Sequence, residues 1–184
     1  HIMSRVLLFG GFAPSLILFR APLLRALVEA GHEVIAAAPD EDPRVPEAME
    51  SMGVRWYPIN FERNRVQPAR DLLFVRRIRR MLRELKPDRL LCYTIKPNIY
   101  GGWAAQAEGI PSAAMVTGLG TVFMNHGWRR AVAIRMFRRA CRHHDHVFFQ
   151  NTDDRDDMIN AGVVEDSSRI VMTAGSGVDL DLFP

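Results

Sequence analysis

The sequence predicts an α/β protein built on a doubly wound, mostly parallel sheet. Short apolar runs recur along the chain at residues 5–9, 33–38, 54–59, 90–92, 112–116 and 146–149. Stretches with apolar residues at helical spacing lie between them. Apart from a polar residue at or near the start of most of them, the runs are apolar rather than alternating, as in strands covered on both faces. The chain of 184 residues shows no internal repeat, low-complexity run or linker, so residues 4–184 read as one Rossmann-like domain. His1 and Ile2, ahead of Met3, are set aside.

The elements follow in order. Residues 5–9 form a first buried strand and Gly10-Gly11 follows at once, where the absent Cβ lets a ligand approach the backbone. Residues 12–19 read as an apolar loop. Residues 20–30 form a helix with Leu23, Leu24, Leu27 and Val28 inward, stopped at Gly31. A second strand (33–38), a short helix (43–52) and a third strand (54–59) lead to a polar loop holding Arg63 and Arg65. A strongly amphipathic helix over 70–86 buries Phe74, Ile78, Met81, Leu82 and Leu85. Its opposite face carries Arg76, Arg79, Arg80 and Arg83 at i, i+3, i+4, i+7.

The fourth strand, 90–92, runs into Tyr93, Thr94 and Lys96. Pro97 suits a first helical turn, and Thr94 or a nearby backbone group is the expected cap of a helix ending at Gly109. A strand that ends in a polar loop and opens a helix is where open α/β sheets bind ligands, and Lys96 adds a positive charge there. A fifth strand (112–116) flows into Thr117-Gly-Leu-Gly120. Val122, Phe123 and Met124 place apolar residues in a loop. A second basic helix, 128–142, turns Ala133, Met136, Phe137, Ala140 and Cys141 inward and Arg135, Arg138, Arg139 and Arg142 outward. A strand at 146–149, a helix capped by Thr152 or Asp153, and a strand at 169–172 complete the pattern.

Composition narrows the class. Apolar residues make up 48% and charged residues 24%, ordinary for a globular protein. The net charge is only +3, yet no acid falls between Glu108 and Asp145, a stretch with six arginines. Two cysteines are too few for a disulfide framework, and no apolar run has transmembrane length, so a cytoplasmic setting is expected. The six histidines show no zinc-ligand spacing, so no metal is expected, and no cofactor either. The fingerprint G-x-G-x-x-G is absent, which disfavours a nicotinamide enzyme. No aromatic-basic interleaving supports nucleic acid binding.

Several segments, taken together and in order, match a known family. They are Gly10-Gly11, SLILFRAP (15–22), YTIKPNIYGG (93–102), VTGLGTVF (116–123) and GSGVDLDLFP (175–184). The chain resembles the N-terminal half of a GT-B glycosyltransferase of family four, most closely the bacterial enzymes that extend polyprenyl-diphosphate-linked saccharides for O-antigen, capsule or glycans. That resemblance implies a retaining enzyme of two domains, whose donor-binding C-terminal domain, with its carboxylate motif, is absent here. The isolated chain is therefore expected to be inactive. It further implies a UDP-linked nucleotide-sugar donor, a polyprenyl-diphosphate-linked acceptor and a peripheral position on the inner face of the cytoplasmic membrane.

Carried over by residue, Gly10 and Gly11 match the loop that approaches the donor diphosphate. Thr117 stands where many relatives carry a histidine near the transferred sugar, and Tyr93 where many have the histidine of an H-T-x-x-P-K-like motif. Thr117 and Lys96 are the catalytic candidates. Arg20, Tyr93, Asn98, Gly118 and Gly120 are the acceptor candidates, with Arg20 and Lys96 suited to phosphate. Phe123, Met124, Arg135, Arg138, Arg139 and Arg142 are the expected membrane contacts. The rival readings are a GT-B-like nucleotide-sugar epimerase and a non-enzymatic basic domain that binds phosphate or nucleic acid.

Overall fold

A computed structural model describes residues 3–62, 68–118 and 127–175. Seven strands lie in one sheet in the order β3-β2-β1-β4-β5-β6-β7, and every neighbouring pair is parallel. The strands are β1 (Arg5–Phe9), β2 (Glu33–Ala38), β3 (Arg55–Pro58), β4 (Arg89–Tyr93), β5 (Ser112–Val116), β6 (His146–Phe149) and β7 (Ile170–Met172). The chain winds outward from β1 to β3, then crosses to the other side of β1 to begin β4. The winding reverses between these two strands, whose register pairs Leu7 with Leu90 and Phe9 with Cys92. In open parallel sheets the crevice at such a reversal, beyond the strands' carboxyl ends, is the ligand site.

The strands are apolar on both sides because both sides are covered. On one, α1 (Pro14–Leu18), α2 (Ala21–Glu29) and α3 (Arg44–Ser51) pack Leu16, Leu24, Val45 and Met49 against Leu8, Val34 and Ala36. On the other lie α4 (Pro68–Leu85), a π-helical turn (Pro97–Gly101), α5 (Gly102–Glu108), α6 (Trp128–Cys141) and α7 (Thr152–Asn160). Phe74, Ile78, Ala104, Phe137 and Met158 from these elements meet Leu7, Phe9, Ala114 and Val147.

Four expectations change. The apolar loop at 12–19 contains α1, a single short turn opened by Pro14, too brief to show a helical period. The helix after β4 opens as a π turn with no side-chain cap, so Thr94 does not cap it. Asn151, rather than Thr152 or Asp153, caps α7, its side chain accepting from the Asp154 N–H at 2.7 Å. The arginine faces are also less free than their spacing suggests. Glu108 at the end of α5 accepts from Arg79 at 2.6 Å and Arg83 at 2.8 Å, joining α4 to α5.

On α6, Arg138 donates to the carbonyls of Gly162 (2.5 Å) and Ala161 (2.8 Å), closing the end of α7. Arg142 meets Glu165 at 2.9 Å. An acid from elsewhere in the chain thus offsets part of the acid-free stretch. Arg135 and Arg139 stay exposed, and Trp128 and Val132 at the head of α6 are 72% and 42% exposed. Phe123, Met124 and Gly120 lie outside the described residues. No described helix is long and apolar enough to cross a membrane.

Candidate functional site

The carboxyl ends of β1, β4 and β5 are neighbours, so Gly10-Gly11, Tyr93 to Lys96, and Thr117-Gly118 share one edge of the sheet. The crevice at the reversal of winding is built from the first two of these segments.

The glycines are packed from below. A Cβ on Gly10 would overlap the hydroxyl end of the Tyr93 ring, and one on Gly11 would stand 2.6 Å from Thr94 Oγ1. The missing side chains therefore serve contact between the β1 and β4 ends as well as access from above. Tyr93 is 1% exposed. Ser15 Oγ donates its one proton to the Phe12 carbonyl at 2.5 Å, so at 3.0 Å it accepts from the Tyr93 hydroxyl. The Arg20 guanidinium lies 4.9 Å from the Tyr93 ring centroid, a cation–π contact. Burial pushes the Tyr93 hydroxyl up to about 12 and draws Arg20 below its ordinary value. Arg20, expected as a phosphate contact, is thus 5% exposed and packed on the Tyr93 ring.

Thr94 has a φ of +70°, a conformation that a β-branched residue adopts only under constraint, and such residues gather at functional sites. Its Oγ1 is buried with no hydrogen-bond partner, and its carbonyl accepts from the Asn98 N–H at 3.0 Å.

Lys96 is pinned rather than solvated. Its Nζ lies 3.1 Å from Asp71 Oδ1, with the two side chains 11% and 9% exposed. Asp71 also hydrogen-bonds the Tyr100 hydroxyl, and burial followed by that carboxylate pushes the phenol well above its usual range. A cavity of about 300 Å³ opens beside Lys96.

Asn98, expected to touch the acceptor, is 2% exposed. Its Nδ2 donates to the Met115 carbonyl at 2.9 Å. Its own carbonyl lies 2.8 Å from His144 Nε2, while His144 Nδ1 lies 2.9 Å from Ser112 Oγ. A carbonyl only accepts, so the proton sits on Nε2 and Ser112 donates to Nδ1. Asn98 therefore ties the β4 loop to β5 and to the end of α6. Burial lowers His144 to about 4, so it is neutral there.

Thr117 and Gly118 are exposed at the end of β5, Gly118 with a φ of +134°. Among the described residues, no three His, Cys, Asp or Glu side chains gather to hold a metal ion.

Spacing alone gives no site role to Asp71, Ser15 or Phe61, and gives Thr94 only that of a helix cap. Asp71 was legible, because it continues the inward stripe of Phe74, Ile78, Met81 and Leu85 by one turn. A carboxylate on a buried stripe calls for a cation. Nothing local marks the Thr94 backbone.

A glycine turn, a strained strand end and a pinned cation thus surround one open crevice at the carboxyl edge of a doubly wound parallel sheet. Residues 20–174 match the glycosyl transferase 4-like domain family, and the chain belongs to it. No curated protein sequence matches the chain.

Among solved structures, the chain resembles Acinetobacter baumannii MurG at 18% identity and a TM-score of 0.61, covering 98% of this chain and 48% of that one. It resembles Neisseria meningitidis UDP-GlcNAc 2-epimerase bound to UDP-GlcNAc at 15% and 0.62, covering 94% and 47%. It resembles Anabaena HepE in complex with UDP and glucose at 14% and 0.67, covering 98% and 46%. The chain spans about half the length of these structures.

Proposed function

We propose that the full-length protein is a retaining glycosyltransferase. It moves a hexosyl or N-acetylhexosaminyl unit from a UDP-linked donor to a polyprenyl-diphosphate-linked saccharide, in the synthesis of a bacterial lipopolysaccharide, capsule or glycan. The observation that carries this reading is the family match over residues 20–174. Two of the solved structures it resembles hold UDP or a UDP-sugar, which supports the donor class. This chain supplies the acceptor-side domain, and a second domain supplies most donor contacts.

In this reading the acceptor hydroxyl attacks from the face that the leaving diphosphate vacates, and the diphosphate helps to take its proton. The protein's task is to hold the two reactants in register and to neutralise developing charge. Lys96 brings that charge to the edge, and Asp71 fixes its position. Gly10 and Gly11 let the diphosphate approach the backbone. Thr117, Gly118 and Gly120 border the acceptor. Tyr93, backed by Arg20, acts from within the fold against Gly10, and Asn98 acts by holding the β4 loop to β5. The protein works at the inner face of the cytoplasmic membrane, docking through Arg135, Arg139, Trp128 and the loop with Phe123 and Met124.

A second reading, a nucleotide-sugar epimerase, is favoured by the epimerase likeness. One experiment separates the two. Full-length protein is incubated with a panel of UDP-sugars, with and without a short-chain polyprenyl-diphosphate-sugar. Acceptor-dependent release of UDP supports the transferase. Acceptor-independent inversion of the donor sugar establishes the epimerase and removes the transferase reading.

A further inference from the structure

We infer that Thr94 is a positioning residue of the crevice, whose side chain and left-handed backbone fix Gly11 on one side and Lys96 on the other. What the positioning serves rests on the transferase reading above.

The chain turns from strand to helix at this one residue. β4 ends at Tyr93, and helical backbone begins at Ile95, with Lys96 at a φ of −64° and a ψ of −47°. So abrupt a turn puts Thr94 at a φ of +70°. Glycine adopts that conformation freely, asparagine tolerates it, and a β-branched residue holds it at a cost. Lys86 is the other non-glycine residue with a positive φ among the described residues. It directly follows α4, where left-handed backbone is an ordinary helix ending. Thr94 has no such reason.

Thr94 carries a second cost, since its buried Oγ1 has no hydrogen-bond partner among the described residues. Glycine at this position would avoid both costs, so folding explains neither. The contacts of the side chain supply the reason. The point where a Gly11 Cβ would stand lies 2.6 Å from Thr94 Oγ1 and 3.7 Å from the Phe61 ring. The bare side of Gly11 is thus filled from the end of β4 and from the segment after β3. Phe61 in turn meets Phe9 edge-on, with ring centroids 6.1 Å apart, and stacks on Phe74 at 4.3 Å. Two successive glycines have the widest backbone freedom in the crevice, and a threonine wedge with an aromatic backstop removes it.

The same residue sets the cation. The Thr94 carbonyl accepts from the Asn98 N–H at 3.0 Å, and the Asn98 side chain is tied to the Met115 carbonyl at 2.9 Å. Two residues after Thr94, Lys96 Nζ meets Asp71 Oδ1 at 3.1 Å. A rotation at Thr94 would carry Lys96 off Asp71 and release Gly11 together. In sugar transfer this is the register between the backbone that the diphosphate approaches and the charge that meets it.

The test compares full-length wild type with Thr94→Gly and Thr94→Val. The readouts are thermal melting, amide hydrogen exchange of the peptides holding Gly10 and Asn98, and steady-state transfer from a panel of UDP-sugars to a short-chain polyprenyl-diphosphate-sugar. The Gly10 N–H donates to the Ala37 carbonyl at 2.9 Å and that of Asn98 to Thr94, so both amides report on the turn. Glycine removes the wedge and the backbone cost together. Thr94→Gly is expected to melt at or above the wild-type temperature and to exchange both peptides about tenfold faster. Its kcat falls about tenfold or more, with KM for the UDP-sugar within about twofold of wild type. Valine keeps the shape and drops only the unpartnered hydroxyl. Thr94→Val is therefore expected to melt no lower than wild type and to keep its exchange and its transfer.

Wild-type exchange or wild-type transfer by Thr94→Gly overturns the inference. Melting of Thr94→Gly well below wild type overturns it too, because the residue would then serve the fold alone. So does loss of transfer by Thr94→Val at wild-type exchange, because the hydroxyl would then act on substrate. Absence of transfer by wild type from every donor removes the transferase reading, and melting and exchange still decide the role of Thr94.

Discussion

At the scale of single residues, His144 and Gly10 make opposite demands on their surroundings. His144 is fully buried between Ser112 and the Asn98 carbonyl, and its folded value of about 4 lies below its ordinary 6.5. The unfolded chain therefore takes up a proton that the folded one refuses, and stability falls as pH drops from about 6.5 to about 4. The shift corresponds to roughly 3 kcal/mol at most. Urea midpoints measured between pH 7 and pH 4.5 should fall steadily for wild type and stay flatter for His144→Gln. Asp42, drawn down to about 2 by Arg44, contributes only below that window. Gly10 instead cannot tolerate addition. Gly10→Ala drives a methyl into Tyr93, and overpacking of this kind costs about 1–3 kcal/mol or more. Combining it with Tyr93→Ala should cost less than the two single losses together, as a double-mutant cycle of thermal melts would show.

Elements bring the charges into play. The buried pair between α4 and the β4 loop leaves Lys96 dependent on Asp71. Asp71→Asn should cost about 3–5 kcal/mol by stranding the ammonium, and adding Lys96→Gln should recover much of that in denaturant titrations. The arginine quartet of α6 divides into two pairs with different work. Arg138 and Arg142 hold α7 and Glu165, so changing them disturbs packing as well as charge. The membrane reading is tested at Arg135, Arg139 and Trp128, which are exposed. Changing the two arginines to Ser and Trp128 to Ala should reduce sedimentation with anionic vesicles and leave neutral vesicles unaffected. Unchanged sedimentation with anionic vesicles would remove α6 as the docking face. Raising salt should weaken wild-type binding, because exposed charges are screened within about 10 Å at 0.1 M.

For the whole molecule, the reversal of winding between β1 and β4 decides where ligands meet the fold. It brings together segments far apart in sequence, Gly10-Gly11 and Thr94 to Lys96, and leaves the crevice open on one side. A crevice open to water gives its cations little leverage over a transition state, because their field is strong only where water is excluded. The 184-residue chain alone should therefore give no measurable sugar transfer, while the full-length protein does, as assayed by release of labelled product from a UDP-sugar. Transfer by the isolated chain near the full-length rate would show that the described edge suffices.

The order of strands and helices was legible in the sequence because each element obeys a local rule. Buried parallel strands must be apolar on both sides, and covering helices must carry an apolar stripe. The stripe of α4 and the inward face of α6 follow from that rule, and so does the position of Gly10-Gly11, Lys96 and Thr117 at strand ends. Tertiary structure alone decided what each charge is for. Arg79, Arg83, Arg138 and Arg142 look alike in sequence, yet each meets an acceptor supplied by another element. Arg20 is expected from the resemblance as a phosphate contact and is instead a buried cation over Tyr93. The strain at Thr94 is likewise invisible in the sequence. Burial and pairing depend on which distant groups share a low-dielectric space, and no local spacing encodes that.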